Sequence, residues 1–292
     1  MPVCDFAYHR PRTLPEAWEL ARSLGETSCF LAGGTDLLPD FKRGRDSAQH
    51  LIALRSIPGL AGIRDEDGGL HLGAMTRLQE VADSALVQSR FPVLAEAASL
   101  IGALQIRRQG TIGGNFCRAV PCADTPPPCL VGGALVRLAR DQEERVLPAE
   151  QFFVGPRQTV LRAGELLIEI RIPAQPPCSG ASYQRFALRR GSALAVAAVA
   201  ARLVLDGDTI RDARVALGAV APVPLLAGEC ARALSGQRLS GELLARAARI
   251  AAAESRPIDD IRGSQAFRRE LVEVLTLRAL RQAAERAGGV IR

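Results

Sequence analysis

The sequence predicts an α+β protein built as two domains, and three observations carry that expectation. A chain of 292 residues, 48% of them hydrophobic, is long enough to fill two cores. Short apolar runs suited to strands alternate with helical spacing through its first part. Prolines and a glycine then gather in PAQPPCSG, Pro173 to Gly180, after which strand patterns come first and helical patterns follow, the order of a compact α+β unit. The boundary falls inside that stretch, giving domains of 1–176 and 177–292.

Thr13-Leu14-Pro15-Glu16 fits a capping box with proline in the first turn, and Leu14, Ala17, Trp18, Ala21 and Leu24 recur at helical spacing until Gly25. Trp18, on the apolar face, is expected in the core. Cys29 to Ala32 reads as a strand running into a glycine loop, and His50 to Leu54 as a second strand. Gly68 to Thr76 is a strand bounded by turn residues, with Thr76 and Gln79 offering a capping-box start for a helix. A longer helix is expected from Pro92 to Ile101. Strands return at Ala134 to Leu138 and at Leu166 to Ile172, where Pro173 stops the element. Beyond the linker, strands at Ala193 to Leu205 and Asp212 to Ala219 precede helical patterns from Gly241 to Ala287.

A net charge of +6 invites a nucleic-acid reading, but Lys42 is the only lysine and the arginines are spread among 31 acidic residues. With 4% aromatics the stacking platforms are missing too, so a mildly basic surface or a face for an acidic partner is the better reading. The first residues lack the apolar segment of a secretory signal, and the apolar run from Ala193 to Leu205 is shorter than the roughly 18 to 20 residues that span a bilayer. The expectation is a soluble, cytoplasmic chain with no membrane partner. Its seven cysteines, an odd and scattered set, argue for reduced thiols over a disulfide framework. The spacing of Cys117, Cys122 and Cys129 lacks the paired ligands of an iron–sulfur site, and these three are expected to pack as small apolar residues. The isolated His9, His50 and His71 follow no zinc pattern, so no metal is assigned to this chain.

Two glycine pairs remain. Gly33-Gly34, after a strand, lets backbone amides approach an anion with no Cβ in the way, and Thr35 and the glycine amides are expected to face it. The Asp36 carboxylate, which would repel a phosphate, is expected to accept backbone bonds and brace the loop. Thr111-Ile112-Gly113-Gly114-Asn115 reads as a second small-residue nest with a hydroxyl and a carboxamide to offer. Arg107 and Arg108 precede it, placed for a phosphate or for a subunit contact. Two such loops suit a ligand with two phosphates, yet neither the Rossmann fingerprint nor a P-loop is present, so some other fold must bind it.

LAGGTDLLP (Leu31 to Pro39), QIRRQGTIGGN (Gln105 to Asn115), CADTPPP (Cys122 to Pro128) and GELLIEIRIP (Gly164 to Pro173) together resemble the FAD-binding medium subunit of molybdenum hydroxylases. That family includes bacterial xanthine dehydrogenase, carbon monoxide dehydrogenase, nicotinate-type dehydrogenases and 4-hydroxybenzoyl-CoA reductase. The resemblance implies a PCMH-type, vanillyl-alcohol-oxidase-like FAD-binding domain of two α+β subdomains, about 1–56 and 57–176, and a smaller C-terminal α+β domain. It implies that Ala32, Gly33, Gly34, Thr35, Asp36 and Leu37 line the FAD pyrophosphate and ribityl region, with Thr111, Ile112, Gly113, Gly114 and Asn115 as the second wall. It further implies Asp124 on the adenosine side, Leu167 as an apolar contact, and Arg185 and Leu194 near the isoalloxazine ring.

By the same resemblance, a large subunit with the molybdenum cofactor hydroxylates substrate. A small subunit with 2Fe-2S clusters relays the electrons, and FAD on this chain passes them to NAD+ or another acceptor. No catalytic acid or base is expected from this chain. Relatives often have lysine at Arg185, and carbon monoxide dehydrogenases tend to carry histidine and serine at Thr35 and Asp36 and tyrosine at Leu194, which points away from carbon monoxide. A stand-alone FAD oxidoreductase and a cofactor-free interaction protein are the alternative readings.

Overall fold

A computed structural model describes residues 5–189 and 191–291. The chain opens with β1 (Ala7–His9), α1 (Leu14–Leu24), β2 (Ser28–Leu31), α2 (Leu37–Lys42) and β3 (His50–Ala53). The three strands form a parallel sheet in the order β1-β3-β2. Helix α1 starts where expected, the Thr13 hydroxyl accepting from the Glu16 amide at 3.3 Å. Its apolar face lays Ala17 and Trp18 against Ile52 and Leu54, a small core that also takes Leu166 and Ile168 from the neighbouring sheet.

Next come β4 (Ile63–Glu66), β5 (Gly69–Gly73), α3 (Leu78–Asp83), α4 (Ala85–Arg90), α5 (Pro92–Ser99), α6 (Leu104–Arg107), α7 (Ile112–Arg118) and α8 (Pro126–Val131). Strands β6 (Leu135–Arg140), β7 (Glu143–Pro148), β8 (Phe153–Gly155), β9 (Gln158–Thr159) and β10 (Leu166–Ile172) complete this part. An antiparallel sheet in the order β4-β5-β10-β6-β7 buries Leu70, Leu72, Val136, Leu138, Ile170 and Ile172 with α5, α7 and α8. Helix α3 departs from expectation at its start. Glu80 accepts from the Arg77 amide at 3.2 Å, because the Thr76 hydroxyl is already bonded to both the amide and the carbonyl of Gly62.

The last part contains β11 (Ser179–Phe186), β12 (Ala197–Asp206), β13 (Thr209–Gly218), β14 (Leu225–Leu226), α9 (Gly228–Leu234), α10 (Gly241–Glu254) and α11 (Gln265–Arg286). Its sheet runs β11-β12-β13-β14, antiparallel throughout. Strand β12, AAVAARLVLD, is buried at nine consecutive residues, since α11 covers one face and α8 of the preceding part covers the other. The sheet's far-face residues Ala198, Ala200 and Ala216, with Tyr183 and Ala195, therefore join the same core as Phe116 and Phe152. Strands β1, β4, β7, β8, β9, β11 and β14 went unread in the sequence, and β12 begins at Ala197, four residues later than expected, behind the loop that holds Leu194.

Candidate functional site

Between β2 and α2 the chain turns through Ala32 to Asp36. A methyl group on Gly33 would overlap the Gln109 carbonyl oxygen and lie 2.8 Å from the Gly110 Cα, so only glycine lets this loop touch the segment before Thr111. Gly34 takes φ +71°. The carbonyls of Gly34 and Asp36 accept from Leu38 (3.1 Å) and Asp40 (3.0 Å), while the amides of Gly33, Gly34, Thr35 and Asp36 donate to no protein acceptor among the described residues. Four consecutive uncommitted amides over a glycine turn form a cradle for an anion.

Asp36 does not brace this loop as expected; its carboxylate makes no capping bond. The brace is Asp40, 4% exposed, which pairs with Arg118 and, at 2.9 Å, with Arg157. Burial and the neighbouring Arg157 push the Arg118 pKa down, and Asp36 acts against them, so Arg118 stands electrostatically within reach of the loop.

The second loop is a joint rather than an open nest, which corrects that part of the reading. The Ile112 amide donates to Thr76 (2.9 Å), Gly113 to Ala74 (2.8 Å), Gly114 to the Thr111 hydroxyl (3.1 Å) and Asn115 to the Thr111 carbonyl (2.9 Å). With its amides committed, the loop supplies a wall: Gly114 lies beside Ala32, and Asn115 Oδ1 accepts from Thr125 at 2.6 Å.

Asp124 is 5% exposed at the junction of the second and third sheets. Tyr183 Oη donates to its Oδ1 at 2.6 Å and Arg185 Nη1 to its Oδ2 at 2.9 Å, both from β11, where residues two apart share a face. Burial pushes the Asp124 carboxyl up, and Arg185 and then Tyr183 pull it back; burial, then the Asp124 charge, raises the Tyr183 phenol well above its usual range. Arg185 Nη2 donates to the Ala193 carbonyl at 3.2 Å, next to Leu194, which is 52% exposed. Asp124 and Arg185 thus form a buried ion pair at that junction. Asp124, expected on the adenosine side, and Arg185, expected near the flavin ring, pair directly with each other. Leu167 lies in β10, 5% exposed, within the hydrophobic core.

Tyr183, Arg118 and Asp40 were missed as site residues, and with β11 unread as a strand the sequence carried no signal for them. Of the three cysteines expected to pack as small apolar residues, Cys129 is buried, Cys122 partly so and Cys117 exposed, which corrects the last.

An open row of amides, a second glycine wall and a buried charged pair at the junction fit an elongated diphosphate ligand, which makes this a dinucleotide-binding protein outside the Rossmann class. The chain matches the family described as "FAD binding domain in molybdopterin dehydrogenase" over residues 4–175 and "CO dehydrogenase flavoprotein C-terminal domain" over residues 181–283. It belongs to that family and is an FAD-binding subunit of the molybdenum hydroxylase type. It is 36% identical to the carbon monoxide dehydrogenase medium chain of Hydrogenophaga pseudoflava, over 95% of this chain and 96% of that one. It is 30% identical to the xanthine dehydrogenase FAD-binding subunit of Escherichia coli O157:H7, over 98% of each. Among solved structures, the Hydrogenophaga pseudoflava carbon monoxide dehydrogenase gives a TM-score of 0.95 at 36% identity, covering 98% of this chain and 99% of that chain. Quinoline 2-oxidoreductase from Pseudomonas putida 86 gives 0.92 at 29%, covering 98% and 99%.

Proposed function

We propose that this chain is the electron-exit subunit of its complex. It takes electrons from 2Fe-2S clusters on a small partner subunit and releases them to NAD+ or another acceptor, while a large partner with the molybdenum cofactor hydroxylates the substrate. The observation that supports this best is the open amide row at Gly33 to Asp36. Bound FAD would supply both one- and two-electron chemistry, which joins one-electron clusters to a two-electron acceptor. The chain's own part is to bind and orient: Gly33 to Asp36 hold the diphosphate, Thr111 to Asn115 form the facing wall, and Asp124 with Arg185 fixes the end between the domains.

Substrate choice belongs, in this reading, to the large subunit. Nucleic acid has no part in it, since Arg64, Arg137, Arg145 and Arg171 each hydrogen-bond a carboxylate instead of standing free. Among the described residues no helix is long and apolar enough to cross a membrane. Free cysteines suit the cytoplasm, where we place the complex. The test is the visible spectrum of the purified chain with heat release of the chromophore and iron analysis. One FAD per chain without iron is expected; a colourless chain that takes up no added FAD would sink the reading.

A further inference from the structure

Arg268 stands in the first turn of α11, 3% exposed and outside the site described above. Acceptors from three other segments surround its guanidinium. Nη1 donates to the Val196 carbonyl at 2.8 Å and to the Ala219 carbonyl at 3.0 Å, and Nη2 donates to Asp260 Oδ1 at 2.7 Å. Nε points to the Gly263 carbonyl at 3.5 Å, in the turn that follows Asp260. A buried guanidinium here needs a reason beyond core packing, since an apolar side chain would fill the same space without desolvating a charge.

The two carbonyls lie where β12 and β13 part. The ladder between these strands ends at the pair Ala198–Gly218, and beyond it the chains diverge. Both hydrogens of Nη1 supply the bonds that a further rung would have made. From Val196 the contacts lead to Arg185: the Val196 amide donates to the Phe186 carbonyl at 2.8 Å, and Arg185 Nη2 donates to the Ala193 carbonyl at 3.2 Å. From Ala219 they lead to Asp124: the Ala219 amide donates to the Pro121 carbonyl at 2.7 Å, three residues before Asp124. Ala219 makes this contact in the left-handed region, at φ +64°. A residue with a Cβ stays there only where its surroundings hold it, and here Pro121 binds its amide and Arg268 its carbonyl.

We propose that Arg268 is a positioning residue: it sets the segments that carry Asp124 and Arg185 against each other, and through that pair it shapes the junction where FAD is held. The second half of the inference rests on the FAD reading above. Lysine could keep the charge beside Asp260 but has no planar fork with which to hold both carbonyls.

The test uses the full chain. It has two tyrosines, so Tyr8→Phe leaves Tyr183 alone, and a fluorotyrosine label then gives a single fluorine resonance beside Asp124. Into this background go Arg268→Met, Arg268→Lys and, as a control for lost stability alone, Leu280→Ala, a fully buried residue of the core under α11. Each is followed by the fluorine spectrum, by FAD titration through flavin fluorescence, and by thermal melts.

Arg268→Met is expected to move the Tyr183 resonance toward that of free tyrosine and to weaken FAD by roughly tenfold, the size of a typical coupling through an intermediate residue. Arg268→Lys should fall between it and the parent, and it decides the matter if Arg268→Met does not fold. Leu280→Ala should lower the melt while leaving resonance and affinity at the parent values. A lowered melt in the Arg268 variants with resonance and affinity unchanged would overturn the proposal, as would Leu280→Ala moving all three together. If the parent binds no FAD while the resonance still answers to Arg268, the FAD reading fails and the positioning of Asp124 and Arg185 stands.

Discussion

Gly33 is where sequence and site meet most closely. The Gly-Gly pair was legible only beside the second pair at Gly113-Gly114, since alone such a pair is commonly just a tight turn, and its reason was not legible at all: Gly33 is required by the Gln109 carbonyl, which sits 76 positions further along the chain. Gly33→Ala should force the two loops apart, costing about 1–3 kcal/mol by overpacking. FAD affinity should fall with it, as read by fluorescence titration beside a urea melt; a variant that binds FAD as tightly as the parent would refute the cradle. Tyr183 is the opposite case, a lone aromatic in the sequence that turns out to hold Asp124 across the domain junction at 2.6 Å. Nothing local announces a partner 59 residues away. Tyr183→Phe leaves Asp124 Oδ1 without that donor while Arg185 still holds Oδ2, so a loss of about 1–3 kcal/mol is expected in equilibrium unfolding. An unchanged midpoint would mean that the hydrogen bond contributes nothing net.

Elements with a strong period were legible, such as α1 and α10, because their apolar faces repeat whatever they pack on, and β10 was legible as a short apolar run stopped by Pro173. Those that draw their regularity from neighbours were not. Strand β11, SGASYQRF, looked like the end of a linker, since its buried positions include Gly180, Ser182 and Tyr183. Its order comes from β12 beside it and α11 above it, where Ser182 Oγ donates to Gln282 Oε1 at 2.5 Å. Strand β7, EERVLP, is another, tied in by charge. Its Arg145 grips both oxygens of Glu165, at 2.7 Å each, and the Arg162 amide donates to the same carboxylate at 3.0 Å. Glu165 immediately precedes β10, so this clamp ties together the two strands that flank β6. The hydrogen bonds from Arg145 hold the Glu165 carboxyl below its ordinary range. A depressed folded pKa gives stabilisation that is present above the unfolded value, about 4.3, and is lost as pH falls through the folded one. Glu165→Gln should therefore cost about 1–2 kcal/mol at pH 7, tempered because Arg145 is partly solvated, and the difference should vanish well below pH 4. Paired thermal melts at pH 7 and pH 3 decide it; a deficit that persists in acid would place the effect in packing instead of charge.

At the scale of the whole molecule, the two domains read from the sequence share a core. Tyr183, Ala198, Ala200 and Ala216 of the third sheet, with Ala195 of the loop before β12, lie in one core with Phe116, Phe152 and Ile170 of the preceding part. A buried ion pair, Asp124 with Arg185, crosses the same junction, and removing either partner's domain would strand a charge in an apolar setting. A cofactor held at such a junction is held by both sides at once, so its affinity and the domain contact rise and fall together. Unfolding should then be a single cooperative transition, with calorimetric and van't Hoff enthalpies in agreement. Flavin release should coincide with loss of secondary structure. Free FAD at a hundred times its dissociation constant should raise that one transition by about 2.7 kcal/mol of added stability. Two resolved calorimetric peaks, only one of which moved with FAD, would show that the C-terminal domain is merely attached and that the shared core does not couple the halves.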